Sequence, residues 1–213
     1  MKNNLLSKVF GWMFIGLLLT FVTGYYVASN EYTFYKIFSG GIHFIFALIE
    51  IGLVIFLSAR VHKMQPNTAK IVFMLYSIVS GITFSSIFIA YNLTSIFVIF
   101  LASALLFGIF ACIGYFTNMD LSKFGTYLFM ALIALIICIV INLFVGSDTF
   151  NLVINYICLL IFIGFTAYDI QKIKRLCDST TNENIAIIGA LELYLDFINI
   201  FISLLDLFGK GRD

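Results

Sequence analysis

Five polar residues recur at a helical rhythm in an otherwise oily run near the end of the chain: Glu192, Asp196, Asn199, Ser203 and Asp206. Steps of four, three, four and three place them within about 80° of one another on a helical wheel, as one stripe about 21 Å long. Leu193, Leu195, Phe197, Ile198, Ile200, Phe201, Leu204 and Leu205 fill the other faces. A carboxylate at the centre of a bilayer costs about 2.5–3.5 kcal/mol even on the lenient insertion scale. Such a stripe cannot face lipid. It must face protein or a water-filled path, which surrounds this helix with others.

Other ionisable residues lie near or inside apolar runs. Asp169 sits in GFTAYDIQKIK, with Thr166 three residues before it on the same face. Arg60 closes an apolar run on the same side of the membrane and is level with Asp169. Glu50 lies about 15 Å and about 80° from Arg60 on a common helix, so those two do not pair directly. Two carboxylates brought together in a low-dielectric site do not both ionise cheaply; they share one proton and change charge near physiological pH without a histidine. An adjacent arginine favours the ionised form. A doubly ionised pair is also part of a site for a hard cation, although calcium wants about 6–8 oxygens and would need water and carbonyl groups as well. Glu50 and Glu192 are accessory acids or packing residues, and Asp206, near the far interface, carries little cost. His43 and His62 have no metal-ligand partner at a useful spacing.

The elements that position these residues follow from composition. The chain has 213 residues, 62% hydrophobic and 11% charged, with mean hydropathy +1.08. A soluble domain carries about 25% charged residues. A membrane span needs about 20 mostly apolar residues, and seven such segments occur, at about 10–28, 37–59, 70–91, 95–116, 124–146, 150–172 and 185–208. Backbone amides find no water in lipid, and no strand alternation is visible, so these are helices rather than barrel strands. The first segment is long enough to span and lacks a cleavage-like site, which makes it a helix and not a signal peptide. The reading is a single all-α integral membrane domain over residues 1–213, a seven-transmembrane-helix bundle with the C-terminal helix central. Its immediate partner is the lipid bilayer.

Seven spans leave Lys2, Lys8, Arg60, Lys63, Lys70, Lys123, Lys172, Lys174 and Arg175 on one side, and Lys36, Lys210 and Arg212 on the other. Nine against three predicts a cytoplasmic N-terminus and an external C-terminus; a re-entrant last segment would return the C-terminus inside. Cys112, Cys138, Cys158 and Cys177 form no CxxC and read as apolar filler. A net charge of +1 gives no reason to expect nucleic acid. No Gly-x-Ser-x-Gly, phosphate-cradling loop or nucleophile–base set appears, so neither an enzyme nor a resident cofactor is expected.

GALELYLDFINIFISLLDLFG resembles the last helix of the Bax inhibitor family (transmembrane Bax inhibitor motif proteins) in its bacterial branch, and GFTAYDIQKIK resembles that family's sixth helix. FLSARVHKMQPNTA, GITFSSIFIAY and GYFTNMDLSKFGTYLFMALIALIICIVINLF extend the likeness over almost the whole chain. The resemblance implies a seven-helix bundle with the last helix at its centre, and a pH-sensitive calcium leak in a cell membrane (the bacterial inner membrane). It places the proton sensor on Asp169 and Asp196, which would also meet calcium, and a gating arginine on Arg60. It does not carry the cell-death phenotype of metazoan members to a bacterial-type chain. If the sixth helix ended near Lys174 and the seventh began near Ile185, Asp169 would lie about 8 Å deep and Asp196 about 16 Å, which makes Glu192 a possible third carboxylate. Two rival classes stand beside the leak: a regulator that binds a membrane protease without moving ions, and a proton-coupled transporter of a small solute.

Overall fold

The structure, a computed structural model, describes residues 3–180 and 182–212. Eight α-helices follow in order: α1 Asn3–Ser29, α2 Glu31–Ser39, α3 Ile42–Arg60, α4 Pro66–Ala90, α5 Leu93–Phe116, α6 Ser122–Val145, α7 Asp148–Ser179 and α8 Asn184–Phe208. A single 3₁₀ turn, Val61–Lys63, sits between α3 and α4. All but α2 are long and apolar enough to cross a membrane. The chain is an all-α membrane bundle, as its composition requires.

Four boundaries differ from the sequence reading by more than two residues, the first being that of α1, expected from about 10 and found from Asn3. The segment expected at 37–59 is broken at Gly40 and Gly41; Gly41 takes φ +72°, a left-handed conformation open to glycine, so residues 31–39 form α2 and the span begins at Ile42. The segment expected from 70 begins four residues earlier, because Pro66 opens α4 in its first turn, where its missing N–H is no loss. The sixth span, expected to end at 172, continues to Ser179. At 32 residues α7 is about 48 Å long, well beyond the hydrocarbon thickness. Lys2, counted in the charge asymmetry, and the side chain of His62 lie outside the described residues.

Two compact units emerge. The first comprises Met1–Leu93, Cys177–Tyr194 and Gly211–Asp213; the second comprises Thr94–Leu176 and Leu195–Lys210. In the first, α1 and α4 pass at glycine distance. A Cβ on Gly81 would stand 2.7 Å from the Thr20 carbonyl oxygen, and one on Gly16 would stand 2.7 Å from the Phe73 ring. Small residues let membrane helices approach closely where no hydrophobic force drives them together. Tyr91 and Gly211 form an isolated antiparallel bridge, and the Arg212 N–H donates to the Ala90 carbonyl at 2.9 Å. The C-terminal tail thus sits at the far end of α4, which by alternation of α1, α3 and α4 is the end opposite the start of α1. The last helix runs from Asn184 to Phe208 without a break.

In the second unit, Gly114 of α5 lies against the backbone of Ala167 in α7, and Gly125 of α6 lies against the Tyr168 ring. Leu135, Ile154 and Ile161 form a buried cluster, joined by Cys138 and Cys158 as small apolar filler. Cys177 is also buried, whereas Cys112 is exposed. The burial of α8 stands apart from the other spans. Its apolar window is 72% buried, against 6–39% for the other six. Among the large apolar residues exposed to the surroundings, α8 contributes Phe208 alone, at its last position.

The close pass at Gly114 makes a sharp prediction. Gly114→Ala should lower stability by about 1–3 kcal/mol through overpacking. Gly108→Ala in the same helix meets nothing within 4 Å and should be neutral or stabilising by up to about 1 kcal/mol. Thermal unfolding in detergent checks the pair.

Candidate functional site

Asp169 owes its position to α7 and to what packs there. One turn earlier, Thr166 is fully buried and turns its hydroxyl back to the Phe162 carbonyl at 2.8 Å. Ala167 faces the Gly114 backbone and Tyr168 faces Gly125. The residue as a whole is 7% exposed. Its Oδ1 accepts from Lys172 Nζ at 3.3 Å, and that ammonium also lies 5.7 Å from the Tyr168 ring centroid. The sequence reading counted Lys172 only among the charges on one side of the membrane and not as a partner of Asp169, although the i, i+3 spacing that brings the two together is legible in DIQK.

Asp196 lies in the same unit and is 3% exposed. The adjacent Phe197 is held edge-on between Phe100 and Phe107 of α5, at 5.3 and 5.8 Å between ring centroids. The Cys158 thiol lies within hydrogen-bonding reach of the Ser203 side chain, which marks the register of α7 against α8 at that level. Counting from that contact at about 1.5 Å per residue leaves Asp169 about 6 Å farther along than Asp196. Each Cβ tilts toward its own helix N-terminus. On these two antiparallel segments the Cβ tilts shorten that offset along the helix axes. Measured from the helix ends, the extension of α7 to Ser179 puts Asp169 about 15 Å before the end of α7 and Asp196 about 18 Å after the start of α8, which narrows the mismatch read from sequence.

The overhang of α7 is strapped to the α5–α6 loop. Gln171, 6% exposed, donates from Nε2 to the Met119 carbonyl at 2.7 Å and accepts from the Leu121 N–H at 2.9 Å. Lys174 donates to the Tyr115 carbonyl at 2.7 Å and stands 4.2 Å from the Tyr115 ring centroid. Arg175 reaches Asp120 at 2.8 Å, Ser122 at 3.0 Å and Gln171 at 2.9 Å. Hydrogen bonds from Ser122 and then Arg175 hold the Asp120 carboxyl down at about 2.

The remaining expected residues occupy the first unit or the end of α8. Glu50 of α3 accepts from Thr83 Oγ1 of α4 at 2.9 Å. Arg60 is exposed in the last turn of α3, where a cation suits the helix dipole. Glu192 is half-buried and belongs to the first unit, whereas Asp196 belongs to the second. Asn199 spends its amide on the Leu195 carbonyl of its own helix at 2.8 Å. Ser203 is buried, and Asp206 is exposed near the helix end. His43 stacks between Phe38 and Phe44. Among the described residues no three His, Cys, Asp or Glu side chains gather as a metal site. Calcium at the aspartates would need oxygens from elsewhere.

Two features of the first unit had no signal in the sequence. The Tyr194 hydroxyl, fully buried, meets Thr20 Oγ1 at 2.6 Å and donates to Ser80 Oγ at 3.0 Å, linking α8 to α1 and α4. Asn184, 2% exposed, donates to both the Val61 and Met64 carbonyls at 2.8 Å, so the start of α8 grips the α3–α4 connection. Beside it, Glu183 takes Lys8 at 2.6 Å and Lys70 at 3.9 Å. The Lys8 hydrogen bond and charge hold its carboxyl below the usual range.

A family model described as inhibitor of apoptosis-promoting Bax1 matches residues 2–213. The chain is 40% identical over 214 residues to the inner membrane protein YbhL of Escherichia coli strain K12, covering 97% of this chain and 92% of that protein. It is 42% identical over 218 residues to an uncharacterized protein of Borreliella burgdorferi, covering 100% and 94%. A further uncharacterized membrane protein, of Streptococcus pyogenes serotype M1, is 42% identical over 168 residues, covering 78% and 73%.

Two outcomes are expected. Tyr194→Phe removes both interhelical hydrogen bonds of the hydroxyl and should cost about 1–2 kcal/mol in a membrane setting, read by reversible unfolding in mixed micelles; an unchanged stability would contradict the linkage. Asp120 is held below its ordinary value, so what its ion pair adds is present above that value and lost as pH falls through about 2. Hydrogen exchange of residues 117–122, corrected for intrinsic rate, should stay flat from about pH 8 to 4 and rise only between about 4 and 2.

Proposed function

The chain belongs to the family of inhibitors of apoptosis-promoting Bax1, and from that premise we propose that this multi-pass membrane protein is a proton-gated calcium leak. The observation that carries the reading is the burial, within one unit, of two carboxylates on α7 and α8: Asp169 at 7% exposure and Asp196 at 3%. Two such acids ionise one at a time, so the charge in the site changes with pH. When both are ionised the site attracts a divalent cation. When a proton is shared, the attraction weakens and the site closes to the ion. Lys172 supplies a positive charge at 3.3 Å from Asp169. Arg60 keeps the gating role that the family resemblance gives it. The cytoplasmic placement of the N-terminus rests on the lysine and arginine count.

Calcium flux into liposomes holding the purified protein, with outside pH stepped from about 6 to 8, tests this reading. Wild type should leak in a pH-dependent way, and Asp169→Asn and Asp196→Asn should each flatten the profile. Arg60→Gln should shift it. Flux no greater than that of empty liposomes at any pH would make the carboxylates structural. A pH profile unchanged in both aspartate variants would sink the gate.

A further inference from the structure

Helix α2 presents a small cage where the chain passes between two membrane spans. It is capped by Asn30, whose side chain accepts from the Thr33 N–H at 3.0 Å, and it ends at the Gly40–Gly41 break. One face is pinned: Phe34 stacks on Phe38 at 4.4 Å between centroids, Phe38 on His43 at 5.3 Å, and His43 lies 4.1 Å from Phe44 in the first turn of α3. The side of α2 that carries Glu31, Tyr32 and Tyr35 stays open, with Phe34 at its edge. Glu31, Tyr32, Phe34 and Tyr35, with Ala28 of α1 and Ile89 of α4, line a cavity of about 470 Å³. Tyr32 and Tyr35 are 76% and 72% exposed.

The height of this cavity follows from its neighbours. Ala28 lies one residue before the end of α1, and Ile89 one residue before the end of α4. These helix ends mark the boundary between hydrocarbon and headgroups, where tyrosines concentrate. Interfacial tyrosines alone would select no headgroup. A carboxylate beside aromatic rings does: ring faces attract an ammonium group, quaternary or primary, and the carboxylate adds a counter-charge. A hard divalent ion wants about 6–8 oxygens, which one carboxylate and two phenols do not supply. An anionic headgroup would be repelled by Glu31. Lys36 stands one helical turn after Tyr32, on the same face, the spacing that suits a phosphate following the ammonium.

We propose that the Glu31–Tyr32–Tyr35 cage of α2 binds the ammonium headgroup of a zwitterionic phospholipid. This site is independent of the leak reading and stands or falls by itself. The test is native mass spectrometry of the full-length protein in detergent, titrated separately with short-chain phosphatidylethanolamine, phosphatidylglycerol and free phosphoethanolamine. The expected result is retention of phosphatidylethanolamine about tenfold better than phosphatidylglycerol. Glu31→Gln should erase that preference, and so should the double variant Tyr32→Leu/Tyr35→Leu. The residues are exposed, so the melting temperature of each variant should stay at the wild-type value; if the double variant unfolds, Glu31→Gln alone decides. Equal retention of the two lipids, or a preference that survives Glu31→Gln, would overturn the site and leave an ordinary aromatic belt. Phosphoethanolamine binding as tightly as the whole lipid would overturn the lipid as its occupant.

Discussion

The cost of placing a carboxylate inside a bilayer governs this molecule. At about 2.5–3.5 kcal/mol or more for each such group, a helix carrying Asp196 and Glu192 among leucines and phenylalanines is admissible only where protein replaces lipid. The burial of α8 is the response. Its apolar faces, which could have met lipid without cost, are covered as well: Leu193, Ile200 and Leu205 are 0–1% exposed. Burying those faces holds the acid in one orientation and one depth.

The means of enclosure differ between the two units. In the first, glycines at positions 16 and 81 bring α1 and α4 together, and the Tyr194 hydroxyl ties α8 to both. In the second, Gly114 and Gly125 draw α5 and α6 onto α7, while Phe100 and Phe107 grip Phe197. The strap from Gln171, Lys174 and Arg175 to the loop after α5 holds the overhang of α7, and with it the depth of Asp169. Polar hydrogen bonds thus do in lipid what apolar burial does in water.

The sequence carried the architecture and the acids because each depends on one local pattern. Span length follows from runs of apolar residues, and the stripe on α8 follows from spacing within a single helix. The Gly40–Gly41 doublet was legible as a break and was passed over, because the hydropathy of residues 37–59 is nearly continuous across it. Lys172 was legible too, at i, i+3 from Asp169. The Thr20–Tyr194–Ser80 linkage was not: its members come from three helices, and nothing in any one of them marks the meeting. The length of α7 was hidden because its last turns are polar, and hydropathy ends a span where helix and hydrocarbon part company.

The proposed gate requires Asp169 and Asp196 to behave as one titrating unit. Infrared difference spectroscopy of the protein in lipid, stepped from about pH 8 to 6, reads carboxyl protonation directly. A protonated-carboxyl band should grow over that range in the wild type and vanish in both Asp169→Asn and Asp196→Asn, because neither acid holds the shared proton alone. A band that persists in either variant, or none at any pH in the wild type, would contradict the paired site.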